Sequence, residues 1–270
     1  MIAPPMPPQF LTLTPTASGQ FILDVTPALS VGRGDNRFLF GGAGLAAAIM
    51  AMETVSGRPA IWATAQYLSY ARPGTTVTIT TSLPSMGKYT TQARATIFAG
   101  DKEILTATAA LGERAGLSDQ WTPFPDVPGP ADCEEISHWS SEDNLGARFR
   151  FRPARGFFGD VPHGRQRSAD GRLIFWIKPK EDIVIDRTIL AVIADFVTSG
   201  IRNAMGRSAG GNSLDNTIRY CTLTPSEWVL CDIAIESIAS GIAHGSMQLF
   251  AENGALLAIA SQSMILRVRD

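Results

Sequence analysis

The first half of the chain contains one continuous apolar segment and several shorter segments rich in β-branched residues. The segment 40–55 is apolar on every side and rich in alanine, which predicts a helix that is buried all round. Gly57 and Pro59 directly follow and are expected to end it. Segments rich in Thr, Val and Ile predict strands near 21–26, 61–70, 75–83, 88–98 and 103–111. The pattern therefore predicts one long core helix wrapped by an antiparallel sheet.

The second half repeats this order of elements. A predicted strand over 172–178 is followed by a predicted helix over about 186–205, whose apolar face is formed by Ile189, Leu190, Val192, Ile193 and Phe196. Further strands are expected near 213–223, 227–237, 243–252 and 255–268. The stretch 148–172, which opens this half, is basic and punctuated by glycine. Helices on one face of each sheet indicate the α+β class.

The two halves share residues as well as element order. An offset of 152 residues aligns three identical pairs, namely Pro73 with Pro225, Val77 with Val229 and Phe98 with Phe250. Because solenoid repeats have periods of roughly 20–50 residues, an offset of this size indicates a duplicated domain. We predict an N-terminal half over 1–112, a proline-rich linker over 113–140 and a C-terminal half over 141–270.

Composition narrows the classes of partner and compartment. The chain is 45% hydrophobic and 18% charged, with a net charge of −2 and no basic cluster, so nucleic acid is not an expected partner. No uninterrupted apolar run reaches the ~18 residues of a membrane helix, so no membrane partner is expected either. Residues 1–8 have no signal-peptide pattern and are expected to be an irregular tail. Three scattered cysteines indicate a reducing, cytoplasmic setting without structural zinc.

Several short motifs resemble one known family. They are Phe40-Gly41-Gly42, Arg72-Pro73-Gly74, the segment around Gly87, 169–176, Asp195, 213–217, 227–230 and Ser261-Gln262. In this order they resemble the double-hotdog acyl-CoA thioesterase II family. The resemblance covers about residues 20–268 and is sharper in the C-terminal half, whereas 113–170 matches poorly. Asn216 departs from the family pattern, which typically has His there.

The resemblance implies a fold, a substrate and a set of catalytic residues. The fold would be a double hotdog, with the halves side by side, one joined sheet and both helices on the same side of it. In the family, residues matching Asp195, Ser213 and Gln262 hold the water that attacks a thioester carbonyl. The substrate would be fatty acyl-CoA, no metal or organic cofactor would be needed, and a homodimer or homotetramer is expected. We therefore expect these three side chains to converge on one water.

The internal repeat offers a check that does not depend on the family. Subtracting 152 places the three polar residues on Ala43, Ile61 and Ala110 of the first half. All three counterparts are apolar, so the fold itself does not demand polar residues there. The comparison predicts one active site per chain.

Each candidate also has a structural interpretation. Asp195 could be a satisfied structural acid, Ser213 a turn or cap residue, and Gln262 a residue on the solvent face. Gly41 and Gly42 either permit close packing or offer N–H groups to an oxyanion. Asp215 would share a strand face with Ser213 in an extended segment, and either supports the catalytic residues or is structural. The arginines at 148, 150, 152 and 155 either meet CoA phosphates or form a solvated basic loop.

Other catalytic classes lack their motifs. The chain has no G-x-S-x-G nucleophile elbow, no phosphate loop and no dinucleotide fingerprint. The hotdog hydratases use an Asp with a His five residues later, and no such pair occurs here. Two hypotheses remain: an acyl-CoA thioesterase, or a non-catalytic hotdog protein that binds acyl thioesters or lipids.

Overall fold

The structure, a computed structural model, describes residues 9–136 and 143–268. The tail predicted over 1–8 lies outside these ranges. So do residues 137–142, where the predicted linker meets the predicted C-terminal half, and the last two residues of that half.

From residue 9 onward, the N-terminal half is one α-helix and the strands that surround it. The helix α1 spans Gly41–Ser56. It ends at Gly57, whose left-handed backbone (φ 66°) lets its N–H donate to the Glu53 carbonyl. The strands are Thr14–Ala17 (β1), Gln20–Asp24 (β2), Ser30–Val31 (β3), Phe38–Leu39 (β4), Ala60–Tyr67 (β5), Thr76–Met86 (β6), Thr90–Ala99 (β7) and Lys102–Gly112 (β8). Short 3-10 turns occur at Pro27–Leu29 and Gly34–Asn36.

The C-terminal half has the same plan but differs from the sequence prediction at its first strand, in the core helix and at Leu214, where the strand predicted near 213–223 is divided in two. The strands are Phe149–Arg155 (β9), Arg172–Pro179 (β10), Ala209–Ser213 (β11), Asp215–Tyr220 (β12), Val229–Ala239 (β13), Ile242–Ala251 (β14) and Leu256–Val268 (β15). The first of these, β9, was not predicted, because its alternating arginines resemble a basic loop. Short 3-10 turns lie at Pro130–Asp132 and Leu145–Arg148.

The core helix of this half also differs from the prediction. Instead of one α-helix over about 186–205, the chain forms α2 (Arg187–Ile193), a 3-10 segment (Ala194–Ser199) and α3 (Gly200–Met205). By length and hydropathy this stretch is apolar enough to cross a bilayer, but 72% of it is buried inside the fold, as expected of a core helix. A 3-10 segment within a helix often marks a functional hinge or a sequence under strain.

The two halves join into one sheet. Its order is β1-β2-β6-β7-β8-β5 in the N-terminal half, continued by β12-β15-β14-β13-β10-β9, with β11 also pairing β15. The order of the second half is the reverse of the first, as expected of two copies related by a twofold axis through the β5–β12 pair. The helix α1 packs against α2 and against the sheet, and the 3-10 segment and α3 lie against the sheet in the second half. The predicted α+β double hotdog is therefore confirmed.

The strand registers correct the alignment of the two halves by one residue in the central strands. They pair Thr64 with Thr217 across the centre, Thr64 with Thr108 in the first half and Thr217 with Ser261 in the second. The two central threonines are 153 residues apart, not 152, and their hydroxyls lie 2.7 Å from each other. Since Gln262 follows Ser261, its counterpart is Ala109 and not Ala110.

The counterpart of Ser213 shifts in the same way. Ser213 pairs with Met264, as Ala60 pairs with Leu111. In each half the next residue interrupts the ladder. We conclude that Ser213 corresponds to Ala60 and not to Ile61. Both corrected counterparts are still alanines.

The segment after β8 packs on the outer face of the sheet. The described residues 113–129 form no helix or strand, yet the Trp176 Nε1 donates to the Pro128 carbonyl at 2.9 Å. The Phe124 ring contacts those of Trp176 and Phe250, with centroids 6.3 and 5.5 Å away. This segment thus covers a second apolar cluster on the outside of the C-terminal half, formed by Ile174, Trp176, Trp228, Leu230, Phe250 and Leu256.

Candidate active site

The three residues singled out by the sequence lie together. Asp195 is on the 3-10 segment and only 3% exposed, and Gln262 is on β15 and 2% exposed. Gln262 takes an inward position of the alternating strand, so the solvent-face interpretation is wrong. Its Nε2 donates to Asp195 Oδ1 and, at 2.8 Å, to the hydroxyl of Ser213 at the end of β11. One amide thus bridges a carboxylate and a hydroxyl from two other elements.

The N-terminal half completes the surroundings of Asp195. The Gly42 N–H, at the first turn of α1, donates to Asp195 Oδ2 at 2.7 Å. The positive end of the α1 dipole favours a carboxylate at this point. Because this N–H is bound to Asp195, it is not free for an oxyanion, so the oxyanion role considered for Gly42 is not supported. The site therefore draws on both halves of the chain.

The two glycines at the start of α1 provide space. A β-carbon on Gly41 would lie 2.8 Å from both Asp195 Oδ2 and Tyr67 Cζ. A β-carbon on Gly42 would lie 2.7 Å from the Val192 carbonyl oxygen and 2.8 Å from Asp195 Cβ. Such distances are shorter than side chains tolerate, so only glycine lets α1 approach the acid this closely.

Asn216 also faces the acid. It is fully buried on β12, and its Nδ2 donates to Asp195 Oδ1 at 3.3 Å. In the sequence this residue was noted only as a departure from the family pattern. In the structure it supplies one of the polar contacts that a buried carboxylate needs.

Asp215 does not share the face of Ser213 as an unbroken strand would require. Leu214 lies outside the ladder between β11 and β12, so the alternation is interrupted at that point. The Asp215 carboxylate instead accepts from the Ser263 backbone N–H at 2.8 Å. It thereby ties the start of β12 to β15 beside Gln262, which favours the structural of its two interpretations.

Burial sets the acidity of Asp195. Removal from water raises the pKa of this carboxyl to about 7, and the hydrogen bonds from Gly42, Gln262 and Asn216 oppose that rise. A group with a pKa near neutrality can accept and return a proton in each cycle. A general base that works near neutral pH needs a pKa in this range.

Three buried polar atoms around the acid have unused hydrogen-bonding capacity. Within the described residues, no partner is found for Tyr67 Oη, Asn216 Oδ1 or Gln262 Oε1. Buried polar atoms normally have partners. These atoms are therefore suited to bind a water or the polar part of a substrate. In the same described ranges, no group of three or more His, Cys, Asp or Glu residues could hold a metal ion.

The arginines near β9 are engaged in ion pairs. Arg148 lies 2.5 Å from Glu181, Arg152 lies 3.3 Å and Arg150 3.9 Å from Glu135, and Arg155 pairs with Asp170. Their carboxylate partners offset much of the positive charge on this strand. The arrangement favours neither of the two interpretations considered from the sequence, since the arginines stabilise an edge strand.

Comparison with known proteins identifies the family. A family model described as the acyl-CoA thioesterase C-terminal domain matches residues 119–266, more than half of the chain. The chain belongs to the double-hotdog acyl-CoA thioesterase II family. The match begins at residue 119, so it includes most of the region 113–170 that the motifs alone matched poorly. No protein of curated function matches this thioesterase-family chain.

Solved structures share the whole fold of this thioesterase-family chain. A protein from Novosphingobium aromaticivorans DSM 12444, assigned as a thioesterase, is 30% identical, with a TM-score of 0.84 over 94% of this chain and 98% of that one. A hot dog fold protein of unknown function from Alicyclobacillus acidocaldarius is 17% identical, with a TM-score of 0.81 over 96% and 97%. The acyl-CoA thioesterase II TesB2 from Mycobacterium marinum is 14% identical, with a TM-score of 0.73 over 97% and 98%. The last two likenesses show the fold alone.

Sequence reasoning missed two residues of this thioesterase-family site. Asn216 could have been found, because it occupies the position of the family histidine. The offset of 152 aligns Tyr67 with Arg219, so the comparison of the two halves did not single out this tyrosine. The observed offset of 153 places it opposite Tyr220 and reveals a pair of equivalent tyrosines.

Proposed function

We propose that this protein is a thioester hydrolase that converts fatty acyl-CoA to free acid and CoA by means of an activated water. The observation that carries the proposal is the buried Asp195, with a pKa raised to about 7, in contact with Gln262 and with the helix N-terminus of the other half. A thioester is an activated acyl group. Its hydrolysis needs a positioned water and a proton acceptor rather than a covalent nucleophile.

The geometry suggests how the water would be held. Gln262 uses its amide N–H groups on Asp195 and Ser213, so only its Oε1 is free to accept a hydrogen bond from the water. The Ser213 hydroxyl accepts from Gln262 and keeps its own hydrogen for the water oxygen. The water would then donate to Asp195 and Gln262 and accept from Ser213. A lone pair of its oxygen remains for the thioester carbon.

The reaction would proceed by addition and elimination. As the water oxygen bonds to the thioester carbon, its proton passes to Asp195, and the electron pair of the C=O bond moves to the carbonyl oxygen. When the C=O bond reforms, the carbon–sulfur bond breaks. The departing sulfur takes the proton back from Asp195. Free acid and CoA thiol are the products, and Asp195 is again ionised.

Thiol release from a panel of acyl-CoA esters of different chain length tests this function. A thiol-reactive dye reports free CoA, and Asp195→Asn serves as the matched inactive control. We expect release by the native protein that is lost in this variant. Binding of acyl-CoA without any thiol release would instead indicate the non-catalytic binding protein.

The setting of this activity is part of the proposal. The three cysteines are free, with Cys231 buried and Cys221 exposed, and free thiols persist in the reducing cytoplasm. We also propose association into homodimers or homotetramers. Light scattering that gives only the monomer mass at working concentration would contradict that association.

A further inference from the structure

One polar group at the site has no role in the steps described so far. The Tyr67 hydroxyl is buried although the residue as a whole is only partly buried, and it has no hydrogen-bond partner within the described residues. Tyr67 occupies an inward position on β5, the strand that joins the two halves. A buried hydroxyl without a partner is costly, so its retention beside a reactive carboxyl requires an explanation.

The hydroxyl is close to the place where the thioester would react. The ring carbon that carries it, Cζ, and the Asp195 Oδ2 both lie 2.8 Å from the point where a β-carbon on Gly41 would stand. Phenol and carboxylate therefore face the same small space, which the glycine keeps open. Asn216 lies against the same carboxyl from β12.

The reaction also needs a donor for the carbonyl oxygen, and the Gly42 N–H at the helix N-terminus is not free to be that donor. The negative charge that develops on the carbonyl oxygen requires hydrogen-bond donors aimed at it. The Gly42 N–H is bound to Asp195, and the Gln262 N–H groups are bound to Asp195 and Ser213. Among the groups around Asp195, the Tyr67 hydroxyl has a hydrogen that is not committed to another atom.

We propose that Tyr67 is a catalytic residue whose hydroxyl donates a hydrogen bond to the carbonyl oxygen of the bound thioester. The inference rests on the proposed hydrolase function. As water adds to the carbon, the electron pair of the C=O bond moves to the oxygen, and the phenol stabilises that oxyanion without giving up its proton. The proton of the water goes to Asp195 and later to the departing sulfur.

The acidity of the phenol agrees with a donor role. Burial, followed by the negative charge of Asp195, raises the pKa of Tyr67 well above its usual value of 10, while the nearby Asn216 opposes this rise. The hydroxyl is therefore protonated throughout the pH range in which Asp195 titrates. It can donate, and it does not compete with Asp195 for the proton of the water.

The duplication provides a matched control. Tyr220 occupies the equivalent position on β12, but its hydroxyl donates to the Arg187 carbonyl at 2.9 Å at the start of α2. The two tyrosines have the same residue type and the same strand position. They differ in whether the hydroxyl has a protein partner.

The test compares Tyr67→Phe with Tyr220→Phe in the full-length protein, by steady-state hydrolysis of an acyl-CoA ester that the native protein cleaves. Loss of one oxyanion donor typically lowers kcat by about 100- to 1,000-fold. We expect a fall of this size for Tyr67→Phe with KM changed by less than about threefold, and an unchanged kcat for Tyr220→Phe. The pH midpoint of kcat/KM should stay in place in Tyr67→Phe, because a neutral group is removed.

Thermal unfolding completes the test. Since the Tyr67 hydroxyl has no protein partner, Tyr67→Phe should melt at the native temperature or above, whereas Tyr220→Phe should melt lower. A large loss of stability in Tyr67→Phe would reveal a structural partner and overturn the proposal. An unchanged kcat, an effect confined to KM, or a shifted pH midpoint would also overturn it while leaving the hydrolase function intact. A native protein that releases no thiol from any acyl-CoA would overturn both.

Discussion

The two ends of the central strand pair β5–β12 are equivalent by duplication but differ in chemistry. At one end α1 begins with Gly41-Gly42, and the Tyr67 hydroxyl beside it has no partner within the described residues. At the other end α2 begins with Arg187, whose carbonyl accepts from the Tyr220 hydroxyl and whose guanidinium lies 5.7 Å from that ring. At the first end the tyrosine hydroxyl is available to bind a ligand, whereas at the second end the equivalent hydroxyl is bound to another protein group.

The remaining contacts extend this difference. At the second end Arg187 Nε donates to the Ala60 carbonyl at 3.1 Å, and Glu53 Oε1 accepts from the Ala60 N–H at 2.6 Å. Ala60 and Ala109 stand where the first end has Ser213 and Gln262. The second end is therefore a structural junction. At the first end, the N-terminus of α1 from the first half binds Asp195 of the second half. The single candidate site is therefore built from residues of both copies.

The largest effect should come from exchanging the acid. Asp195→Asn removes the proton acceptor, and loss of a general base typically costs ~100- to 10,000-fold in rate. Glu53→Gln changes a half-buried acid at the other end, and it should leave kcat within about twofold and lower the stability instead. Thiol release and thermal unfolding of both variants measure the contrast. Equal losses of kcat would mean that the two ends are not functionally different.

Smaller losses are expected from the residues that hold the water. Ser213→Ala and Gln262→Ala should each lower kcat by roughly 10- to 100-fold. Because both act on one water, the double variant should lose less than the product of the single losses. Gln92→Ala, on the exposed side of β7, is the control and should leave kcat unchanged. Full multiplicativity in the double-mutant cycle would indicate that the two side chains act separately.

The pH dependence should follow Asp195. The base must be ionised to accept a proton, and burial raises its pKa to about 7. We therefore expect kcat/KM to fall about tenfold for each pH unit below this value and to level off above it. A pH–rate profile between pH 5 and 9 measures the midpoint. A midpoint near pH 4 would show that the acid is not buried in the working enzyme.

The smallest expected effect is on stability, and it tests how closely the start of α1 must approach the core helix of the second half. Gly42→Ala would bring a β-carbon within 2.7 Å of the Val192 carbonyl oxygen, and overpacking typically costs about 1–3 kcal/mol. Gly210→Ala is the control, because nothing lies within 4 Å of its added carbon. Urea unfolding should separate the variants. Equal stability would mean that α1 can withdraw from Asp195 at little cost.

Local patterns predicted most of the elements because their causes are local. The helix expected over 40–55 is observed at Gly41–Ser56, and the strands after it agree within a few residues. The errors occurred where tertiary contacts decide. In β9, Phe149 and Phe151 alternate with the arginines and are buried in the core, and the break around Asp195 coincides with contacts to Gly42 and Gln262. An interruption at one residue after Ser213 also displaced Asp215 from its expected face.

By itself, the sequence determined the duplicated α+β plan, the family and the residues Asp195, Ser213 and Gln262 as candidates, because residue type and order carry this information. Only the tertiary structure decided that Gly42 binds the acid, that Asn216 and Tyr67 face it, and that Tyr220 does not. The physical reason is that these contacts join residues more than a hundred positions apart, or on different elements, through the pairing of β5 with β12. A shift of one residue in that pairing reverses which side chains point inward.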